Sequence, residues 1–342
     1  MKVWRSIEDV EGAVDRVAVA VGVFDGIHMG HRAIVARAVE HARERKGIAV
    51  VLTFDPHPRC VLRGCRPPRI LTTLDEKLGI LAHLGVDGVL VLPFDHRLAS
   101  LTAEEFVRTA FTGPLHAEWV VVGYDFRLGR GREGDGKTLR ELGRRHGFDT
   151  ELIEASLWEG RPVKSTWIRD EIEIGSVARA AELLRRYHSL SGVVESGEGR
   201  GRGLGWPTAN LRVLEEGKLW PALGVYAGLV EIEEGLLPAA VNVGVRPTFG
   251  EGAEPNVEAH IIGAERDLRG RAAKVHFLAR IRGERTFPSA RDLADQIGRD
   301  ARMAKERIRA GKENFIFTGR AGSGTFLRNG ESTCGRGKSV IP

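Results

Sequence analysis

The apolar positions of this chain follow two rhythms, which change near residue 187. In the first part, short runs rich in β-branched residues alternate with stretches where apolar side chains recur every three or four positions. The runs Val17–Phe24, Ile48–Phe54, Gly88–Leu92, Glu118–Gly123 and Thr150–Ile153 predict strands. They are apolar at nearly every position, which predicts burial on both faces, as in a parallel sheet flanked by helices. Ile34, Val35, Ala38, Val39 and Ala42 share one helical face, and Thr102 with Glu105 makes a capping box ahead of Phe106. Up to about residue 186 the expected architecture is therefore a doubly wound α/β domain, a layout that binds ligands beyond the carboxyl ends of its strands.

Glycine-punctuated strands follow: Ser191–Glu195, Val225–Ile232, Ala239–Val243, Val257–Ile262 and Lys274–Ile281, then one amphipathic helix over Ser289–Arg309. This order predicts an antiparallel barrel or sandwich with a terminal helix. Beyond Asn314 the chain is rich in Gly, Ser and Thr with few apolar anchors, so a mobile tail is expected. The predicted organisation is a first domain over 1–186, a second over 187–313 and a tail over 314–342.

A length of 342 residues exceeds one ordinary core, and 42% hydrophobic residues suffice for two. The net charge of +5 would favour a nucleic-acid partner if it lay on one face. However, the segment from Asn314 onward carries +3 of it, and only 6% of residues are aromatic, so neither a basic stripe nor stacking platforms are expected. Cys60, Cys65 and Cys334 form no C-x-x-C pair, which points to free thiols rather than disulfides or zinc. The opening residues lack the apolar core of a signal peptide, and no apolar run is long enough for a membrane span, so a cytoplasmic location is expected.

Candidate chemistry begins where the first strand runs through Asp25 and Gly26 into a helix, with His28 and His31 at its start. Unpaired amides and the positive dipole end of a helix attract phosphate. Gly26 and Gly30 allow close backbone approach, and two imidazoles can donate to phosphate oxygens as charge builds on them. A histidine pair alone is more often polar surface at a helix start, but F-D-G-x-H-x-G-H is a longer and rarer string. Lys164, Ser165, Thr166 and Arg169, in KSTWIR, supply hydroxyls, amides and cations before another helix, although Ser and Thr there could equally be plain caps.

In the second part GEGRGRGLGWPTAN places Gly199, Gly201, Gly203 and Gly205 ahead of Pro207, Thr208 and Asn210. Alternate glycines bare backbone amides to an anion, and Arg200 and Arg202 add charge, though such a stretch also makes a simple hairpin tip. Thr208 and Asn210 offer hard oxygen ligands suited to Mg2+.

These strings, with TFDPHP at Thr53–Pro58, VVGYDFRLGRGREG, VNVGVRPTFG and VEAHII, resemble the bacterial bifunctional riboflavin kinase/FMN adenylyltransferase family. The resemblance implies a nucleotidylyltransferase domain that makes FAD from FMN and ATP, then a Greek-key barrel that makes FMN from riboflavin and ATP. It implies ATP and phosphate contacts at Gly22, Phe24, Asp25, Gly26, Gly30, Ser165, Thr166 and Arg169, flavin contacts at Asp125 and His57, Mg2+ and ATP on Thr208 and Asn210, and a catalytic base at Glu258. The chain departs from the family at Lys164, where a serine is frequent, at Asp125, where some relatives have asparagine, and at Arg185 and Arg269. Two alternatives stand beside this reading. One is that a single activity is retained. The other is a P-loop at Gly131–Thr138, which matches G-x-x-x-x-G-K-[ST] but begins seven residues after its strand.

Overall fold

The computed structural model describes residues 1–10, 16–62, 68–113, 115–196, 205–245, 255–263, 266–311, 315–318 and 325–328. The chain forms two compact units: Met1–Asp170 together with Glu216–Leu219, and Glu171–Glu215 together with the described chain from Trp220 onward.

In the first unit β1 (Lys2–Trp4), β2 (Val17–Val21), β3 (Ile48–Asp55), β4 (Gly88–Pro93), β5 (Ala117–Gly123) and β6 (Asp149–Ile153) form one parallel sheet in the order β1-β4-β3-β2-β5-β6. All five residues of β2 are buried because helices cover both faces. Ala18 and Ala20 meet Ile34, Val35, Ala38 and Ala42 of the helix Met29–Glu44 on one side. Val17, Val19 and Val21 meet a layer with Phe106, Phe111 and Leu139 on the other. This two-sided burial is what the unbroken apolar runs predict. β1 was not legible as a strand; it is held by Trp4, whose ring lies over Gly88, where a Cβ would fall 2.2 Å from it.

A two-stranded hairpin of β7 (Leu157–Trp158) and β8 (Arg161–Pro162) precedes the helix Ser165–Glu173.

The second unit is a closed antiparallel barrel rather than a sandwich. Its strands are β9 (His188–Glu195), β10 (Ala209–Val213), β11 (Gly224–Ile232), β12 (Gly235–Val245), β13 (Pro255–Ile261) and β14 (Ala272–Arg282), in the order β10-β13-β12-β11-β14-β9 with β9 paired back to β10. Alternation decides what fills it: Leu211, Tyr226, Val241, Val243, Val257 and Phe277 point inward. On the outside, Ala227, Leu229, Ala240 and Leu278 pack under Ala304 and Ile308 of the closing helix Ala290–Gly311. Within the expected tail, Phe315–Thr318 and Thr325–Arg328 pair as antiparallel strands, and the rest of 312–342 lies outside the described residues.

Candidate functional site

In the first unit the strand expected to reach Phe24 stops at Val21, because the backbone turns sharply: Phe24, Gly26 and Ile27 all have positive φ, at 50°, 89° and 38°. The buried Phe24 ring folds back over Gly22, where a Cβ would lie 3.1 Å from it. The turn delivers His28 as the N-cap of the helix Met29–Glu44, and its imidazole makes no capping bond. A Cβ on Gly30 would lie 3.2 Å from His28 Cε1, so a side chain there would displace the ring.

His28 and His31 stack with centroids 3.7 Å apart, and Phe24 meets His31 edge-on at 5.3 Å. Burial pushes the His31 pKa well below its usual value, and the charges of His28 and Lys77 push the same way. At neutral pH His31 is therefore a neutral hydrogen-bonding group.

Asp25 is 4% exposed, and its carboxylate accepts Leu71 N at 2.9 Å, Thr72 N at 3.1 Å and Arg169 Nη2 at 2.5 Å. With those lone pairs occupied, the acid fixes the Arg169 guanidinium, whose Nε donates to Arg69 O at 2.8 Å. Gly26 N donates to Thr72 Oγ1 at 2.9 Å, and Ser165 Oγ donates to Asp25 O, also at 2.9 Å. Thr166 is exposed at the start of the same helix. The two strings singled out in the sequence, HxGH and S-T-x-I-R, thus converge on one turn although about 140 residues separate them.

A cation that the sequence reading missed lies beneath this turn. Lys77, buried, donates to Val23 O at 2.8 Å and Thr53 Oγ1 at 3.2 Å. Burial lowers its pKa to about 8, against the pull of Asp25 and Asp55. It sits just inside the helix Leu74–His83, whose capping box of Thr73 and Glu76 was readable as a helix start. His57 is lowered to about 4, chiefly by burial. Its Nδ1 accepts Arg59 N at 3.1 Å, which leaves the proton of the neutral ring on Nε2.

Two of the departures from the family answer each other: Lys164 Nζ lies 3.4 Å from Asp125 Oδ2, with both side chains exposed. The Lys164 pKa is raised, first by its hydrogen bond to Tyr124 and then by Asp125. Of the other departures, Arg185 ends the helix Val177–Leu184 at φ 57°, and Arg269 is held by Asp267 on the surface.

The P-loop alternative is corrected by the helix start at Gly136. Asp135 caps it, accepting Lys137 N at 2.9 Å and Thr138 N at 3.0 Å, so a carboxylate sits where a phosphate would have to bind. Lys137 is exposed.

In the barrel, Asn210 of β10, Glu258 of β13 and Asn242 of β12 stand in one register row. Their sequence neighbours fill the interior, so the row faces outward. Asn256 Nδ2 donates to Glu258 Oε1 at 3.1 Å. Asn242 and Asn256 were missed because an outward asparagine on a strand carries no sequence signal. No strand was predicted over the P-T-A-N string, yet Ala209 and Asn210 open β10, and Thr208 immediately precedes it, half-buried. Pro207 O accepts from His260 Nδ1 at 3.0 Å, and Trp206 meets His260 edge-on at 5.0 Å, which anchors this entry to the strand. Gly205 has φ 78° and open space where a Cβ would be. Gly199, Gly201 and Gly203, with Arg200 and Arg202, lie outside the described residues.

Among the described residues no group of three or more His, Cys, Asp or Glu could hold a metal. No helix among the described residues is long and apolar enough to cross a membrane.

A parallel α/β unit with an HxGH helix start and a closed barrel with an outward polar row together define a two-domain transferase. A family model described as FAD synthetase matches residues 11–167, and one described as riboflavin kinase matches 184–308. The bifunctional riboflavin kinase/FMN adenylyltransferase of Escherichia coli (strain K12) is 37% identical over 308 residues, covering 90% of this chain and 97% of its own. That of Bacillus subtilis (strain 168) is 32% identical, covering 83% and 90%. The chain belongs to the bifunctional riboflavin kinase/FMN adenylyltransferase family. A crystal structure from Streptococcus pneumoniae, described as a macrolide-efflux protein, shares the fold with a TM-score of 0.81 at 31% identity, covering 89% of this chain and 98% of its own.

Proposed function

We propose that the residues over 187–313 phosphorylate riboflavin to FMN and those over 1–186 adenylate FMN to FAD, each with ATP. In the first reaction the ribityl hydroxyl is neutral, so a positioned carboxylate helps: Glu258 takes its proton as the oxygen attacks the γ-phosphorus and ADP leaves. Thr208 and Asn210 would hold Mg2+, which when bound neutralises charge on the ATP phosphates. Gly199, Gly201, Gly203, Gly205 and Pro207 form the ATP-binding approach in this reading.

In the second reaction an oxygen of the FMN phosphate attacks the α-phosphorus of ATP, and pyrophosphate departs with the electrons of the broken bond. That oxygen is already anionic, so no general base is required, and catalysis rests on positioning and charge stabilisation. His28 and His31 donate to the phosphates, Ser165, Thr166 and Arg169 hold the triphosphate, and the Gly22–Gly30 turn admits it. His57 and Asp125 face the flavin.

The observation that carries this reading is the meeting of a stacked histidine pair, in which burial keeps His31 neutral, with an arginine fixed by Asp25 at one helix start. We place the chemistry in the cytoplasm, where ATP is supplied, with small molecules as the substrates and no nucleic-acid partner. The test is product analysis after incubation with riboflavin and MgATP, and separately with FMN and MgATP. FMN and FAD from the first mixture, and FAD with pyrophosphate from the second, are expected; absence of either product removes the corresponding half.

A further inference from the structure

Asp25 and Gly26 are held by Ser165 and Arg169 and by one short stretch, Arg69–Lys77. Within that stretch Leu71 N and Thr72 N bind the Asp25 carboxylate, Thr72 Oγ1 receives Gly26 N, and Lys77 reaches Val23 O.

The stretch is itself held by Glu216–Leu219, four residues that follow β10 in sequence, fall within the riboflavin kinase match and yet belong to the first unit. Ile70 N donates to Gly217 O at 2.8 Å, and Leu219 N donates to Ile70 O at 2.9 Å. Between those two bonds Lys218, 1% exposed, pairs with Glu76, 9% exposed. The same Glu76 oxygen accepts Thr73 N at 3.1 Å and so closes the cap of the helix that carries Lys77.

A fully buried lysine is costly unless paired, and losing either partner strands the other charge. Lys218 is not part of the barrel's Asn210–Glu258 row, and it belongs to neither phosphate-binding string.

We infer that Lys218 is a positioning residue for FAD synthesis: through Glu76 it fixes the Arg69–Lys77 stretch and with it the orientation of Asp25, Arg169 and Lys77. The inference rests on the first unit being the adenylyltransferase. The consequence is that the sequence carrying the kinase also supplies a part of the adenylyltransferase.

The test compares full-length wild type, Lys218→Met and Lys218→Arg in two assays, riboflavin to FMN and supplied FMN to FAD, each with MgATP. Lys218→Met is expected to lose at least tenfold in kcat/KM for FAD formation, mainly through a raised KM for ATP, while FMN formation stays within twofold. Lys218→Arg, which keeps the charge, should recover most of the loss. The double variant Glu76→Leu/Lys218→Met, which leaves no stranded charge, serves if the single one does not fold and should show the same selective loss. Wild-type FAD formation in a folded variant lacking the pair, or equal loss of both reactions, overturns the inference while leaving the function intact. A wild-type protein that makes no FAD would instead overturn the function on which it rests.

Discussion

The imidazoles of His28 and His31 lie almost parallel, their planes 22° apart and their centroids 3.7 Å apart, at the mouth of a helix whose N-cap side chain makes no capping bond. Two protonated rings could not share that stack in a buried place, and the lowered pKa of His31 shows the cost. In the proposed reaction His31 would therefore act by donating a hydrogen bond, as a fixed donor aimed at developing phosphate charge. Replacing His31 by Ala is expected to lower kcat for FAD formation by about a hundred- to thousandfold. FMN formation by the same protein should be unchanged, and paired assays on one preparation check both outcomes.

Lys77 is expected to give the adenylyltransferase an alkaline limit. Its pKa is lowered to about 8, so the folded protein loses this ammonium as pH rises through that value. The groups facing it are Asp25 and Asp55, with His31 and His57 nearby. The apparent KM for ATP in FAD formation is expected to rise above about pH 8, and Lys77→Met should raise it at neutral pH and flatten the profile. The stability sign is opposite. An unfolded lysine keeps its proton up to about 10.5, so from about 8 to that pH the unfolded chain binds more protons and this group favours the folded state increasingly. A melting curve that does not fall as pH passes 8, while activity does, separates the two effects.

The parallel sheet and the barrel were legible because each has its own apolar period, unbroken in the first unit and alternating in the second. The HxGH turn was legible because glycine, histidine and a helix start coincide in the eight residues Phe24–His31. Lys77 was not: in sequence it is an ordinary charge on a capped helix, and only the fold turns it beneath Val23. Asn242 was hidden for the same reason, since its meaning comes from register with Glu258 rather than from any neighbour in the chain. The Lys218–Glu76 pair joins positions 142 residues apart, a separation over which no pattern of periodicity or spacing operates.

The P-loop string makes a discriminating control. Asp135 already satisfies the amides of Lys137 and Thr138, so an incoming phosphate would meet a carboxylate. Lys137→Ala is expected to leave both reactions within about twofold of wild type, as exposed charges away from a site usually do. A loss near a thousandfold would mean that the loop binds ATP after all.

Glu258 separates the two chemistries more sharply than any other position. It lies outward on β13 between Asn210 and Asn242, with Asn256 donating to one carboxylate oxygen and orienting the group. A base is useful only where the nucleophile carries a proton, which is true of the riboflavin hydroxyl and untrue of the FMN phosphate. Glu258→Gln keeps the shape and the hydrogen-bonding of the row but cannot accept the proton, so FMN formation should fall by about a hundred- to ten-thousandfold in kcat. FAD formation from supplied FMN should continue at the wild-type rate. With riboflavin as the only flavin, FAD should then appear at whatever slow rate FMN is made, so adding FMN to the stalled mixture should restore FAD production at once. Equal loss of both reactions in a folded Glu258→Gln protein would show that the carboxylate supports structure rather than proton transfer.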